Sequence, residues 1–368
     1  MTSALRALRR FWFSIESPRT LALTRIVLCA YATVAMLPHD LGRLRSAGRR
    51  PMEFLDSSPV LDLLPIPFPL PEPMLAGFGY LMIGLGLLAA IGLFTRPALL
   101  LFAAGYWYIG AAISAWGYVT HSRALPAHVL LILAVAPGAT AWSVDRLVAW
   151  AWRRRRGAVP PMREVLAGPA VPRWGTQLIL VLIATVMLSA GLSKLRHGGL
   201  RWADGQTLGF YLTGGTTWTV APVDAGADTA VRSVWRAGYS QLSGPSDAAP
   251  AAAWKDGFGI ESYLLRATPT RLARAIARHR WLVVVLSVSA MLFELSAPVL
   301  LLGPWPRTFY LLGAVGFFLG IKFTMRISFA AWIVVCPCAV DWVWLAEQLR
   351  SGLPRWPLCR PVARAAQP

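Results

Sequence analysis

Acidic residues are scarce in this chain: 17 Asp and Glu stand against 36 Lys and Arg in 368 residues, a formal net charge of +19. Both signs together make up only 14% of the sequence. A soluble domain carries about a quarter charged residues, so an ordinary water-facing surface is excluded. Cysteine is also sparse. Cys29, Cys336, Cys338 and Cys359 show no paired spacing, which excludes a disulfide framework. No G-x-S-x-G, P-loop or H-E-x-x-H occurs, so the common hydrolase and nucleotide routes have no support. No nucleic-acid recognition motif accompanies the positive charge, and nucleic acid is not an expected partner. No metal is expected either, because the CPC at 336–338 offers two thiols where a zinc site takes three or four protein ligands.

What the chain holds in quantity is apolar surface. Hydrophobic residues make up 56% of it and its mean hydropathy is +0.52, the balance of an integral membrane protein. The 17 Trp and 28 Pro fit that class, since indoles favour the headgroup zone and spanning helices tolerate Pro. A span needs about 20 mostly apolar residues. Eight stretches come near that: roughly 21–37, 74–93, 98–116, 125–142, 174–193, 281–303, 308–325 and 327–346. The expected fold is an all-α integral membrane protein, a bundle of about eight transmembrane helices, with seven and nine as bounds. The basic start, MTSALRALRRFWF, imitates a signal peptide, but no small-x-small cleavage site follows Leu37, so an uncleaved first span is expected.

Lys and Arg in the short connections predict orientation. With eight spans and a cytoplasmic N-terminus, the cytoplasmic segments hold Arg6, Arg9, Arg10 and Arg19, then Arg96, then Arg146, the run Arg153 to Arg156, Arg163 and Arg173, then Arg307, and last Arg350, Arg355, Arg360 and Arg364. Residues 1–20 then form a basic cytoplasmic N-terminus, 21–346 a multi-pass domain of the cell membrane, and 347–368 a basic cytoplasmic tail. A long extracytoplasmic loop joins the fifth and sixth spans. Within it, 201–212 is expected to be structured around an Asp-Gly turn. Residues 213–254 read as a flexible insertion, and 262–280 as a short basic amphipathic helix at the surface.

Ionisable groups inside spans cost about 2.5 to 3.5 kcal/mol each on insertion scales and are functional candidates by default. They are Arg25, His128, Lys194, Glu294, Lys322 and Arg326. Lys194 closes the fifth span with Ser193 and Ala190 on its face, small residues that admit a neighbouring helix. Desolvation disfavours its ammonium and leaves amine for general-base work; a helix-end anchor is the alternative. Glu294, in MLFELSAP, needs a cation. Lys322 and Arg326 on the seventh span are the nearest candidates and Lys194 a third, either as a structural pair or to position a polar ligand. His128 opens the fourth span on the side of Lys194, as a hydrogen-bonded helix start or as a catalytic group. The spaced glycines of GFGYLMIGLG at 77–86 lie in a span with no strand before them, so they read as helix packing.

Five segments carry a resemblance: SPRTLALTRIVL near the start, GLFTRPALL at 92–100, AHVLLILAVAPGATAWSVDRL at 127–147, SAGLSKLRHGGLRWADG at 189–205 and FELSAPVLLLG at 293–303. In that order they resemble the HTTM domain, the membrane domain shared with vitamin K-dependent gamma-carboxylases, across most of 17–345. The resemblance implies a helical bundle with a reactive centre open to the non-cytoplasmic face. It also implies a reduced quinone as cofactor. Lys194 in AGLSKL falls where the carboxylases carry the base that deprotonates vitamin K hydroquinone, and His128 in AHVLL falls where a histidine assists, with Ala127 in place of the family's Asn. Phe318 stands where the family often has a histidine, and the soluble substrate-handling region of the animal carboxylases is missing.

Two further readings stand beside quinol-dependent carboxylase or epoxidase chemistry. GLFTRP also resembles the small DoxX-like proteins, which implies a non-catalytic lipid- or quinone-binding component of a redox or envelope system. A transporter would need an inverted repeat or a pair of broken helices, and neither is visible. The partner such a composition implies is the lipid bilayer, with a quinone or lipid as ligand; it does not say whether a protein partner exists.

Overall fold

A computed structural model describes residues 3–47, 70–115, 121–157, 161–212, 215–219, 261–265, 270–325 and 327–351. Helix α1 (Ser3–Phe13) leads through β1 (Ile15–Glu16) into α2 (Arg19–Tyr31), which continues through a π turn, Ala32–Met36, into α3 (Leu37–Ala47). Then follow α4 (Glu72–Ile91), α5 (Thr95–Ala115), α6 (His121–Val135), α7 (Val144–Arg154), α8 (Met162–Ala167), β2 (Val171–Pro172) and α9 (Trp174–Ser193). After α9 come α10 (Gln206–Leu212), β3 (Gly215–Thr219), β4 (Glu261–Leu265), α11 (Arg271–Ala277) and α12 (Arg280–Leu295). The last described helices are α13 (Pro304–Met325), α14 (Ala330–Cys338) and α15 (Trp342–Arg350). The only strands among the described residues are two short antiparallel pairs, β1 with β2 and β3 with β4.

Five helical segments are long and apolar enough to cross a membrane: Arg19–Gly42, Glu72–Ile91, Thr95–Ile113, Trp174–Arg196 and Pro304–Met325. Two bent pairs, α11 with α12 and α14 with α15, bring the number to seven if each is one span. The all-α expectation for a multi-pass membrane chain therefore stands, with five to seven candidate spans. Three of the eight expected stretches differ for local reasons. The stretch 125–142 stops at Val135, where Pro137 opens a 3-10 turn, Pro137–Thr140. The stretch 281–303 stops at Leu295, and a 3-10 turn, Ala297–Leu301, carries Pro298. The stretch 327–346 breaks after Pro337, and Asp341 caps a new helix at 57° to the old one.

The core lies between α2, α4, α5, α6, α9, α13 and α14, where Leu28, Phe102, Ile109, Leu130, Leu180, Leu311 and Val335 are fully buried. Glycines set how closely the helices approach. A Cβ on Gly86 would meet Thr33 and Phe102, which joins α4 to the first span and to α5. One end of the bundle gathers the N-terminal segment with the starts of α9 and α13. Gln177 donates to the Phe11 carbonyl at 3.1 Å, Thr24 donates to the Cys338 carbonyl at 3.3 Å, and Ala136 abuts Gly175. At the other end Thr270, before α11, donates to the Thr324 carbonyl at 3.3 Å.

The expected Asp-Gly turn is present: Gly205 has φ +82 and separates a 3-10 turn, Gly199–Asp204, from α10. The expected surface helix is α11, shorter than 262–280, and β4 precedes it. Of the expected insertion 213–254, only β3 is described and the rest lies outside the described residues. The tail beyond Ser351 lies outside them as well.

Candidate functional site at the Lys194–Glu294 pair

Helix α9 does not fray after Ser193. It widens into a π turn, Lys194–Gly198, which leads directly into the 3-10 turn, Gly199–Asp204, that carries Trp202. The Trp202 ring comes within 5.1 Å of Lys194 Nζ, a cation–π distance. Gly191 lets α12 approach, since a Cβ there would lie 3.1 Å from the Leu295 backbone nitrogen. The result is a direct ion pair: Lys194 Nζ donates to Glu294 Oε1 at 2.6 Å and to Oε2 at 2.5 Å. The Glu294 side chain is 7% exposed and that of Lys194 23%. α12 continues from Glu294 back to Arg280 for roughly 20 Å of helix, and Gly205 packs on Val283 and Val284 there. Lys194 thus ends its helix without ending the protein.

An aromatic wall adjoins the pair. Phe293 stacks on Tyr310 with centroids 4.5 Å apart, and the Tyr310 hydroxyl donates to the Phe293 carbonyl at 3.0 Å. Phe318 is buried against Phe317, Phe329 and Trp332 and supplies no proton-transfer group.

The other sequence candidates are elsewhere. His128 shares its Nδ1 with the Ala124 carbonyl at 2.6 Å and lies 4.6 Å from the Trp107 ring, contacts within α6 and with α5. None of them involves Lys194. Measured along the helices from the Ala136–Gly175 contact, His128 is roughly 12 Å away and Lys194 roughly 28 Å, so the two do not share a level. Lys322 is exposed and makes no ion pair among the described residues, while Arg326 lies outside them. Glu294 therefore pairs with the third of its three sequence candidates. Arg25 is fully buried and serves structure, donating to the Ala139 carbonyl at 2.7 Å and the Trp142 carbonyl at 2.8 Å. Cys336 and Cys338 are buried thiols, and among the described residues no group of three His, Cys, Asp or Glu is arranged to hold a metal.

Sequence reasoning passed over Asp145. Its carboxylate accepts from the Phe94 and Thr95 amides at 2.9 and 2.8 Å and from the Thr95 hydroxyl at 2.7 Å. It thereby holds Phe94 at the unusual φ of +49. Burial, the largest single influence, works to raise this carboxyl; the Thr95 and Phe94 hydrogen bonds and Arg25 outweigh it, so it lies below its ordinary value. The signal was Ser143 two positions before Asp145, the signature of a helix start. Comparison with protein-family models, with curated proteins and with solved structures returned no match.

Proposed function

We propose that the chain is a multi-pass membrane protein with an HTTM-like bundle that handles a reduced quinone at the Lys194–Glu294 pair. The observation that carries this reading is the pair itself, an ammonium 2.5 and 2.6 Å from both oxygens of one buried carboxylate, beneath the Trp202 ring. Cation, carboxylate and aromatic face form a donor set that fits a hydroxylated ring. A reduced quinone supplies electrons and an ionisable hydroxyl when bound. A ligand that covers the partly exposed Lys194 side chain takes the pair out of water, where charge separation loses much of its advantage over a neutral amine beside a neutral acid. Glu294 can then take one proton from Nζ, which leaves Lys194 as an amine able to accept a hydroxyl proton. The renewed ammonium offsets the negative charge left on that hydroxyl oxygen.

Topology supports the same reading. Glu16 and Asp341 line one cleft, so the number of passes between them is even, and eight satisfies this if α6, α12 and α14 count as passes beside the five long spans. The arginines at that end argue for a cytoplasmic location with both termini inside, and for a long outer loop between the fifth and sixth spans.

The test is quinol epoxidation and CO2 fixation by the full-length protein in nanodiscs with reduced naphthoquinone and oxygen. Lys194→Ala is expected to lose roughly 10²- to 10⁴-fold, the range of general-base catalysis. Equal rates in wild type and variant remove Lys194 from the mechanism.

A second reading, a non-catalytic DoxX-like lipid- or quinone-binding component, is favoured by the occupation of both Glu294 oxygens and by the distance of His128. On that reading the exchange of Lys194→Glu with Glu294→Lys retains a higher thermal midpoint than either single change, and bound quinone survives it. A double variant no more stable than the singles would show that the pair does not join the helices.

A further inference from the structure

We propose that a second polar site, at the end of the bundle that carries the N-terminus, binds the phosphate of an anionic lipid headgroup. Arg307, in the first turn of α13, is only 7% exposed. Its guanidinium makes no hydrogen bond among the described residues, and its Nε is an orphaned buried donor. A buried cation without an acceptor is costly and calls for a partner. This one lines a cleft of about 140 Å³ together with Glu16, Arg173, Thr308, Asp341 and Trp344. One water needs roughly 15 Å³ by the same measure, so a tetrahedral oxyanion fits. Arg173 brings a second guanidinium, whose Nε lies 3.8 Å from Glu16 and makes no hydrogen bond. The helices α9, α13 and α15 all begin at this cleft, and their dipoles add positive potential.

The two carboxyls do not close the site to an anion. Asp341 is engaged as the cap of α15, accepting from the Trp344 amide at 3.0 Å. Glu16 accepts from the Thr176 hydroxyl, and burial pushes its carboxyl above the ordinary value, so it gives up charge readily as an anion approaches. The rim favours a lipid over free phosphate. Trp305 meets Trp344 edge-on at 5.0 Å and stacks on Phe309 at 5.7 Å, an aromatic group suited to headgroup depth. Basic pockets between spans at that depth recognise lipid headgroups.

Full-length protein stripped of lipid in detergent is titrated with phosphatidylglycerol, phosphatidylcholine or inorganic phosphate, with native mass spectrometry and the thermal midpoint as readouts. Phosphatidylglycerol is expected to bind and to raise the midpoint; the other two are not. Arg307→Gln is expected to weaken that binding by about tenfold, the loss of one charge-assisted contact. Glu16→Gln, which removes the competing carboxylate, is expected to strengthen it. Unchanged phosphatidylglycerol binding in Arg307→Gln, or weaker binding in Glu16→Gln, overturns the site, and inorganic phosphate acting as strongly as the lipid overturns the lipid assignment. Should Arg307→Gln fail to fold, the Glu16→Gln arm decides.

Discussion

At the residue scale, burial makes the Lys194–Glu294 pair asymmetric. Forming it from two solvated ions gains little, because desolvation offsets the attraction, whereas removing one partner strands the other at a cost of about 3–5 kcal/mol. Asp145 differs because it is partly open to solvent and its partners are two backbone amides and a hydroxyl, none of them charged. Asp145→Asn keeps the shape and loses the charge, and is expected to cost about 1–2 kcal/mol. The cost depends on pH. A carboxyl held below its ordinary value stabilises the fold above that value, and the stabilisation disappears as pH falls through the folded value. Thermal midpoints of wild type and Asp145→Asn should therefore differ at pH 7 and converge below about pH 4; a gap that persists in acid would show that the charge is not what holds the Phe94 turn.

At the element scale, α4, α9 and α13 were legible because each is an unbroken apolar run of spanning length. The ends of α6, α12 and α14 were not, because mean apolarity carries on past Val135, Leu295 and Cys338 while the helices stop there, with Pro137 and Pro298 just beyond the first two and Pro337 in the last turn of the third. The candidate site was half legible. Lys194 and Glu294 each stood out as costly ions, but they are 100 positions apart, and composition does not say which helices are neighbours. Lys322 was nearer in sequence and faces outward. What selects Lys194 is Gly191, which seats α9 against the backbone of α12. Gly191→Val should push the two helices apart, lower stability by about 1–3 kcal/mol and mimic loss of the ion pair. An unchanged thermal midpoint would mean that the helices meet elsewhere.

For the whole molecule, the shared cleft of Glu16 and Asp341 predicts that tags placed before Ser3 and after Ser351 are digested from the same face of sealed vesicles. Protection of one tag and loss of the other would require an odd number of passes. The same end of the bundle also sets an order of assembly. The turn at Phe94 waits for Asp145, about 50 positions later, which at roughly 5–20 residues per second is several seconds of synthesis. Thr24 in the first span waits for the Cys338 carbonyl, 314 positions later. Until α14 emerges, the first span keeps an open flank within the bilayer, and that interval is when a membrane chaperone or a neighbouring lipid would have access to it.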